Sequence, residues 1–73
     1  MSESEITQKD PNELSLREQE VAELVSRGLN NHDVAVQLFI TEKTVKFHLT
    51  NIYKKEGVVS RAQLIVKMLG PQA

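Results

Sequence analysis

The 73-residue chain has no cysteine and no tryptophan. Disulfides and zinc–thiolate sites are therefore excluded as staples of the fold. Two histidines, His32 and His48, fall on separate candidate helices with no clustered carboxylates, so the reading includes no metal and no cofactor. Aromatic residues make up only 4% of the chain, and in a chain this short the core must be thin. No apolar run comes near the roughly 20 residues a membrane helix needs. The polar, acidic first 13 residues hold nothing like the apolar stretch of a secretory signal. These features together point to a cytoplasmic protein with no membrane partner. A domain this short buries a modest share of its surface, and oligomerisation is the staple that remains.

A surplus of positive charge is missing too: the net charge is −1. Its distribution is uneven, however. Residues 1–42 hold nine acids against three bases, whereas residues 43–73 hold six bases against one acid, Glu56. Phosphate attraction depends on the local field more than on the total, so the second half of the chain is where a polyanion would bind.

Leading into that half, the stretch Phe39 to Tyr53 reads as a two-faced helix, about 42–55, with Thr41 as its N-cap. Val45, Leu49, Ile52 and Tyr53 form an apolar stripe. Lys43, Lys46, Phe47, Thr50 and Lys54 fall on the other side. A helix anchored on one side and cationic on the other suits the DNA major groove.

The rest of the chain supplies its setting. Residues 1–13 read as a disordered tail or linker, and residues 14–70 as one domain. Ser15-x-x-Glu18 is a capping box that opens a first helix carrying Val21, Leu24 and Val25, stopped at Gly28. Surface charge and capping account for Arg17, Glu18 and Glu20. A second helix runs from about Asn31 to Leu38, capped by Asn30, with Val34, Ala35 and Leu38 inward. Phe39 and Ile40 are read as a buried turn that pins the next helix. Short helix, tight turn and capped basic helix make a helix-turn-helix. Gly57 stops the third helix, and Glu56 is a misfit on its apolar side. Ser60-x-x-Gln63 is a second capping box. The fourth helix places Ala62, Ile65, Val66 and Leu69 on one apolar face, with Leu64 and Met68 nearly opposite. That second pair is assigned to a symmetric dimer contact.

On these residues the chain resembles the DNA-binding domain of the LuxR/GerE family of bacterial transcription regulators. The resemblance rests on LSLREQEVAELVSRG at 14–28, NNHDVAVQLFITEKTVKFHLTNIYKK at 30–55 and GVVSRAQLI at 57–65. It implies an all-α, four-helix, LuxR/GerE-like fold with the third helix in the groove and the fourth pairing subunits. By position it implies base contacts by Lys46, Phe47 and Thr50. It likewise implies phosphate or sugar contacts by Lys43, Thr44, His48, Asn51, Lys54 and Arg61. It further implies that Glu18, in the family's R-E-x-E element, ties the first helix to the rest of the fold, and that an apolar residue such as leucine is usual where Glu56 stands. The expected function is sequence-specific binding of double-stranded DNA by a homodimer, with RNA polymerase or another regulator as a further partner. Two other readings stand beside it: a protein-interaction module that binds DNA weakly, and a promoter-reading domain of a sigma factor. An enzyme is the least favoured class, because no nucleophile, base or metal set is assembled.

Overall fold

A computed structural model describes residues 13–70; the expectation of a disordered tail lies, but for residue 13, outside the described residues. Four helices follow one another: α1 (Leu16–Ser26), α2 (Asn31–Leu38), α3 (Glu42–Glu56) and α4 (Arg61–Leu69). No strand occurs among the described residues. No helix among them is long and apolar enough to cross a membrane.

Each helix begins where a short polar side chain can satisfy a free backbone donor of its first turn. Ser15 accepts from the Glu18 N–H, Asn30 from Asp33, Thr41 from Thr44 and Ser60 from Gln63. Only Ser15 completes the expected box, with the Glu18 carboxylate accepting from the Ser15 N–H at 2.9 Å. At Ser60 the return arm is displaced by one residue: the Gln63 side chain accepts from the Val59 N–H instead.

The ends of α1, α2 and α3 share one device. In each, a residue two or three places past the helix donates its N–H back across the last turn: Leu29 to Leu24, Ile40 to Ala35 and Val58 to Tyr53. This is the Schellman arrangement, which needs a left-handed residue one place earlier. Gly28 and Gly57 supply it at two helices, but at α2 the position is held by Phe39, with φ 59°. The aliphatic residue after each left-handed position, Leu29, Ile40 or Val58, packs against the core. The buried-turn expectation is thus half corrected. Ile40 turns inward, but the left-handed backbone throws Phe39 outward, leaving it 95% exposed.

Ten buried residues make the core: Leu14, Val21, Ala22, Val25, Val34, Ala35, Val45, Leu49, Ile52 and Leu64. α1 packs against α4, α3 and α2, while α2 packs on α3 as the helix-turn-helix pair. The expected phase of α4 is inverted. Leu64 is 0% exposed and lies in the core, so it is withdrawn from any dimer contact, whereas Val66 and Leu69 are exposed at 68% and 60%. Periodicity offered two apolar faces; the position of α1 decided which is covered. Met68 remains partly exposed. Glu56 stays helical at the rim, where the Lys67 ammonium donates to its carbonyl at 2.6 Å and lies 3.6 Å from its carboxylate.

Candidate nucleic-acid interface

α3 is held from behind by Val45, Leu49 and Ile52, all buried. That anchoring leaves Lys43, Lys46, Phe47, Thr50 and Lys54 on the outside, each exposed, as their helical phase predicts. Thr44, His48 and Asn51 flank them, half-buried. The residues expected at bases and most of those expected at phosphates therefore share one continuous surface.

Several side chains on this surface are already oriented. The Thr41 hydroxyl donates to the Thr44 hydroxyl at 3.0 Å while accepting from the Thr44 N–H. The Phe47 and His48 rings lie 5.9 Å apart, tilted by 59°. The Thr50 hydroxyl donates to the Lys46 carbonyl at 3.0 Å. Ahead of this face, His32 Nδ1 lies 3.1 Å from the Glu42 carboxylate, linking the first turns of α2 and α3.

Cations elsewhere are tied down. Arg17 pairs with Glu20, and Arg27 with Glu23. Arg61, expected at a phosphate, turns toward the loop before α2. It donates to the Asn31 side chain at 2.8 Å and to the Leu29 carbonyl at 2.6 Å. Only its remaining N–H groups are left for DNA. Lys43, Lys46 and Lys54 are the cations among the described residues whose charged groups make no hydrogen bond or ion pair.

Lys55 belongs to the tied group, and its partner is Glu18, which local pattern assigns to capping and the family resemblance to tying the first helix down. The Lys55 ammonium donates to Glu18 at 2.8 Å, across 37 residues of chain. Glu18 is 5% exposed and is the buried charged residue among those described. Burial pushes its carboxyl up, but the Lys55 hydrogen bond, the Ser15 N–H and the Lys55 charge outweigh that and hold it below its ordinary value. Glu18 thus locks the start of α1 to the end of α3. A glutamate at the third position of a capping box gives no sequence signal for such a distant partner.

A second surface lies on α4. Val58, Ala62, Gln63, Val66 and Lys67 line an apolar groove of about 420 Å³. Exposed Val59 and Leu69 stand near it in sequence on the same segment. Among the described residues no group of three histidine, aspartate or glutamate side chains could hold a metal ion.

A four-helix domain with α2 and α3 in helix-turn-helix order and a cationic outer face on α3 defines a helix-turn-helix module. The sequence pattern of the family described as "Bacterial regulatory proteins, luxR family" matches residues 12–68. The chain belongs to that family. It is 43% identical over 56 residues to the spore germination protein GerE of Bacillus subtilis, covering 77% of this chain and 76% of GerE. To the nitrate/nitrite response regulator NarL of Escherichia coli it is 40% identical over 60 residues, 82% of this chain but 28% of NarL. A Mycobacterium bovis protein named as an HTH-type transcriptional regulator is 48% identical over 52 residues, 71% of this chain and 6% of its own length. Against the larger relatives, then, the chain spans a small fraction of the protein.

Proposed function

We propose that this chain is the DNA-binding unit of a bacterial transcription regulator, acting in the cytoplasm as a pair of copies on a two-fold-related site. α3 enters the major groove. Lys46, Phe47 and Thr50 face base edges, while Lys43, Lys54, Thr44, His48, Asn51 and the free N–H groups of Arg61 lie along phosphate and sugar. The observation that carries this reading is the contrast among cations: the three with no protein partner all sit on the outer face of α3. Family membership and the names of the relatives support it.

Pairing is assigned to α4, through the Ala62, Val66 and Leu69 side rather than through Leu64. Those residues recur at i, i+4 and i+7 and are exposed. A C2 interface uses one self-complementary patch twice, and such a stripe suits that role. Met68 stays at its margin. RNA polymerase or a further regulator would meet the pair on DNA.

The test is selection from a random duplex pool, followed by fluorescence titration at two salt concentrations. Salt-sensitive binding to an enriched two-fold motif is the expected result. The apolar groove on α4 favours a second reading, a protein-interaction module. Strong hetero-association without salt-sensitive DNA binding would select that reading. A requirement for polymerase before any DNA is bound would select the sigma-factor reading.

A further inference from the structure

The outer centre of α3 carries three side chains with different hydrogen-bonding abilities. Lys46 can only donate, and Phe47 can do neither. Thr50 could in principle do both, but its O–H is committed to the Lys46 carbonyl at 3.0 Å. A hydroxyl that donates within its own helix keeps its lone pairs for the outside and becomes an acceptor only. Thr50 is exposed, so those lone pairs are accessible.

We infer that Thr50 reads DNA as a hydrogen-bond acceptor and so requires an exocyclic amino group, adenine N6 or cytosine N4, on the strand it faces. In the major groove these amino groups are the donors; guanine and thymine present acceptors there, and thymine a methyl group as well. An acceptor-only Thr50 is therefore mismatched to guanine and thymine. Lys46, one helical turn away, has the opposite requirement, for which guanine is the matching base. The two Cα atoms are separated by about 6 Å along the helix, roughly one or two base-pair steps. The recognition helix thus has a built-in polarity: a donor toward its start and an acceptor one turn later, with Phe47 supplying apolar contact between them.

This inference rests on the regulator reading, and the experiment separates the two. The full chain, Thr50→Val and Thr50→Ser are each taken through selection from a random duplex pool. The wild-type motif is then rebuilt with single bases lacking their amino group, purine for adenine and 2-pyrimidinone for cytosine. At one position, amino deletion is expected to weaken wild-type binding by about five- to tenfold, the value of one hydrogen bond. Thr50→Ser keeps that sensitivity. Thr50→Val, similar in shape but without the oxygen, binds the parent motif more weakly by the same factor and ignores the deletion. If Thr50→Val retains the wild-type motif and its amino dependence, the assignment is overturned. It is also overturned if uracil in place of thymine weakens the wild type at that position while Thr50→Ser is indifferent to the exchange, because Thr50 would then be reading through its methyl group. A wild type that enriches no motif refutes the regulator reading, and this assignment with it.

Discussion

Removing the Lys55 ammonium while leaving the Glu18 carboxylate in place is the sharpest test of how α1 is held to α3. In Lys55→Met the hydrocarbon stem is largely kept, and Glu18 retains the Ser15 N–H at 2.9 Å but loses its cation. Breaking a fully buried pair from one side costs about 3–5 kcal/mol. Here the Lys55 side chain is 27% exposed against 7% for Glu18, so water screens one end. One charge-assisted hydrogen bond at about 1.5–3 kcal/mol is the better guide, and we expect a loss of about 2 kcal/mol. For a domain of this size that lowers the melting midpoint by roughly 8–16 °C. Glu18→Gln should cost less, about 1 kcal/mol, because the neutral amide still accepts from Ser15 and the stranded ammonium can reach solvent. The folded carboxyl is held below its ordinary value, so its contribution is complete above the unfolded pKa and disappears as pH falls through the folded one. Thermal melts of wild type and Lys55→Met should therefore differ at neutral pH, draw together once the pH drops below the ordinary carboxylate range, and converge as it passes the lowered folded value. A gap that persists undiminished in acid, or a Glu18→Gln loss as large as that of Lys55→Met, would refute the reasoning.

Other expectations concern the two surfaces and the turn. Lys46→Ala should cost about 1–3 kcal/mol on the selected motif and relax one base position, whereas Lys54→Ala should weaken all sequences alike and flatten the salt dependence by about one ion. Identical behaviour of the two in titration would show the sorting into base and phosphate contacts to be wrong. Val66→Glu should leave the melt intact and make the protein monomeric by sedimentation, while Leu64→Ala should cost about 3–5 kcal/mol of fold stability through a core cavity. A paired Val66→Glu would move the contact elsewhere. Phe39→Gly removes a left-handed Cβ costing about 1–2 kcal/mol, loses almost no burial, and raises unfolded-chain entropy worth about 0.5–1 kcal/mol. A small gain in melting midpoint is expected, and a clear drop would mean Phe39 makes a stabilising contact.

What could be read from the sequence was whatever is settled within a few residues. Ser15, Asn30, Thr41 and Ser60 each cap a helix through a donor three residues away, and all four were legible. The two faces of α3 were legible for the same reason, since only one of them is apolar. α4 is apolar on two sides, and the choice between Leu64 and Val66 belongs to α1, some forty residues earlier. The partners of Glu18 and Arg61 were out of reach in the same way. Their partners Lys55, Asn31 and Leu29 lie about 30 or more residues away, beyond any local rule. Phe39 failed for a different reason. Apolarity suggested burial, but the backbone bond from Ile40 to Ala35 fixes the direction of the turn before side chains are consulted.

The burial of Leu64 also has a consequence for the order of events during folding. The core is closed by a residue of the last helix packing with α1, the first. While the chain is still being synthesised, α2 and α3 can dock on one another, but the cavity that Leu64 fills stays open until α4 has emerged. Completion is then a late step that joins the two ends of the domain. The docking itself should be fast, since helical domains built largely from local contacts fold in microseconds to milliseconds. A chain ending at residue 60 would therefore pause with α1, α2 and α3 packed around an open cavity, and would become fully cooperative only once the final helix is supplied.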